Sequence, residues 1–539
     1  MVALVACVLS ASCTLGGGGA NEQLAADQTL SFPISQEISD FDPAQVTSPA
    51  DVDLLRNVFS GLYGFDDHLH LVPDIATEFP DISADGLTYT FHLRHNAHFS
   101  NGDAIQADDV IYSWNRAAAK QGEFAALFSP IRGYELVAQG RSKKLAGLTK
   151  TDDFTVVATL STPTGYWLTE VGLWPYWLVD QKVVSSAGDD VWFTEPETLI
   201  GSGPFKLVSH AAGQSLDFAP VPHWYGGSTG ALQRVHVEIV PDAPTQLAKY
   251  ESGVFSLIGY GRQSLTPDAA ARYQTDEKLR EQLAVVPAAV TFWVGFNMQT
   301  GAFAGDSGKA GRHAFATAID RNALADAVCT AGTTCMAATG GALSKGLAGY
   351  LGDGADENAK FDAKAALAEY KAWDPTGTKV KNLAYSYDTD PFNQAVCQNL
   401  MAQWQKNLGV KVACNEVDRQ TFFDQRNGRC AYTMFRQSWS ADYNNPQDWF
   451  DYLFVSHAPS GGACYSNQNL DSIVASGDAK PVGLAISYYQ AAGHVLISDV
   501  EYAALVYGVQ QYLVRPYVKG VGGTALYDLY WTQARILAH

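Results

Sequence analysis

The segment LTYTFHLRHNAHFSNGDAIQADDVIYSWNRAAAK (87–120) decides the fold class. It opens with strict alternation, Leu87, Tyr89, Phe91 and Leu93 against Thr88, Thr90, His92 and Arg94, after the turn pair Asp85 and Gly86. That is the period of a half-buried strand. Beyond a second turn at Asn101 and Gly102 the period changes. Asp108 and Asp109 suit a helix first turn, and Val110, Ile111, Trp114 and Ala117 form one apolar stripe. Strand, turn and helix recur later: Phe392, Val396, Leu400, Trp404 and Leu408 line one side of a helix closed by Gly409, and VKVAC (410–414) resumes as a strand. A mixed α/β architecture follows.

With 539 residues the chain should form two or three domains. Apolar residues make up 47% and charged residues 17%, and the only low-complexity tract is the glycine run 16–19, so the chain is globular rather than disordered. Fifty-six acids against 36 bases give a formal charge of −20, which repels phosphate backbones and anionic membrane surfaces. Nucleic acid is therefore excluded as a partner.

The N-terminal MVALVACVLSASCTLGGGGANEQ (1–23) runs from apolar residues through small residues and a cysteine into glycines. That order resembles a bacterial lipoprotein signal, with Cys13 favoured over Cys7 as the lipidated residue because it sits directly before the flexible glycines. No later stretch is long and apolar enough to span a membrane. Six cysteines remain, and an even number outside the cell suggests disulfides, for which 15 pairings exist. Local spacing favours Cys329 with Cys335 across a short loop and Cys397 with Cys414 across a helix–strand junction; Cys430 and Cys464 pair by elimination. No close Cys or Cys/His pairs of the zinc kind occur. Neither metal nor cofactor is expected.

One more segment, RQSWSADYNNPQDW (436–449), concentrates three charged residues and two tryptophans around turn chemistry at Asn444, Asn445 and Pro446. Together with LVPDIATEFPDISADGLTYTFHLRHNAHFSNGDAIQADDVIYSWNR (71–116), GSGPFKL (201–207), RHAFATAIDRNALADAV (312–328) and LVRPYVKGV (513–521), it resembles the extracytoplasmic solute-binding proteins of peptide and nickel ABC importers. The 436–449 segment is most similar to the oligopeptide-binding branch, whose loop has the form R-x-x-W-x-A-D-Y-N; Arg436, Trp439, Ala441, Asp442, Tyr443 and Asn444 fit it.

The resemblance implies a three-lobed, periplasmic-binding-protein type II-like fold that closes on ligand by hinge motion. Lobe I would take 28–57, 196–300 and 505–539, lobe II 58–195 and lobe III 301–504, after a signal and tether over 1–27. It implies an extracytoplasmic receptor, lipid-anchored and monomeric, which captures oligopeptides for an ABC permease and is not an enzyme. Asp442 would meet the peptide α-ammonium group and Arg436 a peptide carboxylate. Trp439 and Tyr443 would supply aromatic walls, with Ser440 and Ala441 beside them. SPADVDLL (48–55) and LIGYGRQ (257–263), with Tyr260, fall where lobe I meets ligand.

Blander readings stand beside these. Asp442 can cap a turn, Trp439 and Tyr443 can be core aromatics, and Arg436 can make an ion pair within its lobe. His92, His95 and His98 cannot all converge from an alternating strand, so they read as solvent-facing rather than metal-ligating. A non-peptide cargo, such as a glycan or a nickel chelate, is the main alternative within the same fold. A secreted hydrolase is disfavoured because neither G-x-S-x-G nor H-E-x-x-H occurs.

Overall fold

The computed structural model describes residues 23–259, 265–329, 334–460, 464–526 and 529–539. The segment that opened the sequence analysis forms strand Thr88–His92 and helix Ala107–Lys120. Strand Thr88–His92 lies between Asp81–Ile82 and Thr155–Thr159 in a four-stranded antiparallel sheet that ends at Leu148–Asp152, with Phe91 opposite Val156. Alternation buries Tyr89 and Phe91, and the helix lays Val110, Trp114 and Ala117 on them. The Trp114 ring meets Phe91 edge-on at 6.0 Å and its indole N–H donates to the carbonyl of Tyr176 at 3.0 Å, so the burial leaves no unpaired donor.

A second sheet runs in the order Thr29–Ile34, Arg234–Ile239, Ser215–Pro220, Phe205–Ala211, its first pair parallel. Its core draws on the start, middle and end of the chain, from Phe32 through Phe205 and Phe218 to Trp531. Gly201, just before this sheet, packs so closely that a Cβ there would stand 2.0 Å from the Val58 carbonyl oxygen.

The third sheet is the largest. It has seven strands, with Leu283–Phe296 central between Tyr502–Val514 and Met434–Ser440, and then Ala384–Asp388 and Ala413–Val417. Two strands cross between cores: Ala284 and Val286 pack with the core of the second sheet and Val294 and Phe296 with another, and Tyr502–Val514 does the same in reverse. The expected boundary at 505 falls inside strand Tyr502–Val514, and the one at 300 lies just past the end of Leu283–Phe296. Strands of this length make the two bodies share a sheet rather than a linker.

Helix Pro391–Leu408 ends on Gly409 at φ 75°, a left-handed cap that glycine adopts without strain. The next strand begins only at Ala413, later than VKVAC suggests, because Val410 and Val412 are drawn into the core before the ladder with Ala384 starts. In the 312–328 motif, Arg312 donates to the carbonyls of Phe303, Gly305, Asp499 and Val500, and is wholly buried. The pairs Cys329–Cys335, Cys397–Cys414 and Cys430–Cys464 are all bridged.

Candidate functional site

Strand Met434–Ser440 carries the 436–449 segment to the edge of the third sheet. It pairs antiparallel with Leu283–Phe296, setting Val294 opposite Arg436 and Val290 opposite Ser440, and the Ala441 N–H donates to the Ala289 carbonyl at 2.8 Å. The ladder stops there and the chain turns. Asn445 Oδ1 accepts the N–H of Gln447 at 3.0 Å, an Asx turn that starts helix Gln447–Trp449.

Because successive strand residues point to opposite faces, the segment's side chains separate. Ser440, Ala441 and Asp442 line a cavity of ≈ 140 Å³, with Asp442 exposed. Helix Pro49–Leu55 and its C-cap form the facing wall, presenting Asp53 and Arg56, whose charges lie 3.8 Å apart. Phe65, Phe124 and Trp174 complete it with aromatic surface, and the last two rings meet edge to face at 4.7 Å. The cavity thus has walls from segments about 400 residues apart. It combines carboxylates, one guanidinium and apolar rings, a composition suited to a small zwitterion with an apolar body.

Arg436 and Tyr443 go elsewhere. The Arg436 guanidinium donates to Asp388 Oδ1 at 2.5 Å and to Ser438 Oγ at 2.7 Å, and lies over the rings of Phe422 and Phe423. Burial alone would raise the Asp388 carboxyl, but the Arg436 hydrogen bond and charge hold it below the usual carboxylate range. Arg436 is thus committed to an ion pair inside its lobe. Tyr443 is buried and donates its hydroxyl to Gln447 Oε1. It is a core residue rather than a wall. Trp439 is intermediate: it stacks on Tyr452 at 5.7 Å, and its indole N–H donates to Asp448 Oδ2 at 3.1 Å. Tyr260 and Cys13 lie outside the described residues.

Sequence reading missed Asp448. It is wholly buried, and its Oδ2 accepts both the Trp439 indole and the Asp442 backbone N–H, the latter at 3.0 Å, while no hydrogen bond reaches Oδ1. Burial, and then the charge of Asp442, push its carboxyl well above the ordinary range. Glu170, buried at the end of helix Trp167–Glu170, which packs on the Thr88–His92 sheet, is pushed up by burial and by Asp451. The neighbourhood of Asp442 is strongly acidic, which favours a cationic group there. Phe65, Phe124 and Trp174 were missed as well, since nothing in their local sequence distinguishes them from core aromatics.

The three histidines do not assemble into a ligand set. His95 stacks on Phe154 at 4.0 Å and His98 sits edge-on to Tyr225 at 6.1 Å. Among the described residues, the one compact group of potential metal ligands is Asp66, Asp67 and His68, in a largely exposed turn.

A cleft lined from discontinuous segments with an acidic loop at its rim suits a solute-binding protein. The family model for bacterial extracellular solute-binding proteins, family 5, matches residues 70–460, and the chain belongs to that family. It is similar to the periplasmic murein peptide-binding protein MppA of Escherichia coli, 24% identical over 92% of this chain and 91% of the relative. It is also similar to the periplasmic oligopeptide-binding protein OppA of Haemophilus influenzae, 26% identical over 96% and 95%. Among solved structures, MppA in its unliganded open form superposes with a TM-score of 0.86, covering 96% of this chain and 99% of that one at 23% identity. Haemophilus influenzae OppA in complex with RPPGFSPFR superposes with 0.64 over 96% and 100% at 22% identity. No helix among the described residues is long and apolar enough to cross a membrane.

Proposed function

We propose that this protein captures oligopeptides outside the cell membrane and hands them to an ABC permease, with Asp442 receiving the peptide α-ammonium group. The observation that carries the reading is the place of Asp442: an exposed carboxylate beside four aromatic side chains, Phe65, Phe124, Trp174 and Trp177, in a cleft between lobes. Enclosing an ammonium group costs several kcal/mol unless a fixed anion answers it. Asp442 is such an anion, and its loop is anchored through Asp448 and Ala289. Arg56 faces it as the cation in the same cavity and suits a carbonyl or carboxylate of the ligand. The peptide ligands of the relatives, a murein peptide-binding protein and an oligopeptide-binding protein, support peptides over other solutes.

Peptide capture needs no bond-making chemistry; opening and closing of the lobes set affinity and signal occupancy to the permease. Anchoring through a lipid on Cys13 would hold the receptor, as a monomer, at the outer face of the membrane. Calorimetry with trialanine and N-acetyl-trialanine tests the site. Asp442→Ala should weaken the free-amine peptide strongly and the acetylated one little, and equal losses for both would remove Asp442 from this role. Peptide recovered unchanged after long incubation separates a receptor from a hydrolase.

A further inference from the structure

A second cavity, ≈ 500 Å³, lies between the 58–195 segment and the helix that starts at Val482. Phe79, Ile82 and Leu168 form one wall, and Val482 and Ile486 the other. Phe79 is 51% and Ile82 39% exposed, so this apolar surface stands open to solvent. The polar groups at its edge are already engaged. Asn444 donates to the Leu69 carbonyl at 3.1 Å and accepts the Ala348 N–H at 2.7 Å, and Thr169 Oγ1 accepts from Asn445 at 3.3 Å. The ionisable side chains in its lining are Tyr89, which donates to the Thr164 carbonyl, and His70, which pairs with Asp66 at 3.1 Å.

Two features join this space to the ammonium site. Phe65 borders both cavities. Asn444, at the edge of the apolar one, stands two residues beyond Asp442 on a single loop, and that spacing is at most about 7 Å between Cα atoms. An extended peptide advances roughly 3.4 Å per residue, so a chain whose amino end sits on Asp442 brings its first or second side chain past Phe65.

We propose that this cavity receives an apolar side chain of the bound peptide, so that the receptor selects peptides carrying leucine, phenylalanine or a similar group at the first or second position. The inference rests on the peptide reading above. A cavity of this size and lining holds such a side chain entirely, excludes charged ones because no countercharge faces it, and gains its transfer free energy.

The test is calorimetry of the full protein with trialanine, Leu-Ala-Ala, Ala-Leu-Ala, Ala-Phe-Ala and Ala-Asp-Ala. At least one of the three apolar peptides should bind about ten-fold or more tighter than trialanine, with Ala-Asp-Ala no better than trialanine. Ile486→Asp should abolish that preference, so that the apolar peptides bind no tighter than trialanine. Peptides that all bind equally, or an Ile486→Asp variant that keeps the preference, overturn the side-chain assignment while peptide capture stands. The wild-type series alone decides the matter if the variant does not fold. Failure of every peptide to bind overturns the peptide reading and this inference with it.

Discussion

Asp448 Oδ2 accepts the backbone N–H of Asp442 at 3.0 Å, so one buried carboxylate holds in place the loop that presents another. The same oxygen takes the Trp439 indole N–H. Asp448→Ala should therefore weaken capture of free-amine peptides several-fold by loosening the loop, with Asp442 still present. Asp448→Asn keeps an acceptor and removes the charge. Burial and Asp442 raise the Asp448 carboxyl, and an arriving ammonium group favours its ionised form, so peptide binding should release a proton and tighten as pH rises. Calorimetry in buffers of different ionisation enthalpy reads that proton directly. Asp448→Asn should abolish the buffer dependence, and its persistence would assign the proton elsewhere.

Arg436 and Asp388 form an ion pair whose side chains are 11% and 1% exposed. Removing the guanidinium leaves a buried carboxylate with the more exposed Arg419, at 3.3 Å, as its cation and the Asn393 amide, at 3.1 Å, as a donor. Arg436→Met should lower stability by about 3 kcal/mol in denaturant unfolding. Peptide affinity of the folded fraction should be unchanged. A selective loss of affinity for peptides with a free carboxylate would return Arg436 to the ligand.

Acid titration should stabilise this protein before it destabilises it. Burial pushes Glu501 to about 8 against the opposing charge of Arg312, with Asp499 adding to the shift. Burial and Asp451 push Asp478 to about 7, opposed by a hydrogen bond from Tyr489. A carboxyl raised by folding is protonated in the folded chain and ionised in the unfolded one between the two values, so stability falls as pH rises through that window. The melting temperature should decline from pH 5 to pH 8.5. Glu501→Gln should flatten the upper part of that decline, and a melting temperature that rises over the range would refute the assignment.

Gly165 donates its N–H to the Asp478 carbonyl at 2.6 Å, and a Cβ there would stand 1.8 Å from the Lys480 carbonyl oxygen. This is where the backbone of the Thr88–His92 sheet domain touches the helices that flank the third sheet. Gly165→Ala cannot be absorbed by a side-chain shift, since the clash is with backbone. It should separate these segments, seen as an increased radius of gyration in solution scattering and a lower melting temperature. Unchanged scattering would mean that the contact yields locally.

Local order was legible in the sequence where it depends on neighbours within one or two turns. Alternation over 87–94 became strand Thr88–His92, the apolar stripe became helix Ala107–Lys120, and Gly409 capped its helix, because side-chain period and backbone freedom act over a few residues. Local spacing pointed to the Cys329–Cys335 and Cys397–Cys414 bridges for the same reason, and Cys430–Cys464 followed by elimination. The 436–449 segment stood out through its turn chemistry and its resemblance to a known loop.

What only the tertiary structure decided is where that segment's side chains went. Arg436 meets Asp388, 48 positions away, because Met434–Ser440 pairs in parallel with Ala384–Asp388; Tyr443 turns into the core onto Gln447. Asp442 faces Phe65, Phe124 and Trp174 only because the lobes pack across hundreds of residues. Strand pattern and caps are written into adjacent residues by sterics, whereas the partners of a polar side chain follow from sheet register and lobe packing, which no short stretch of sequence contains.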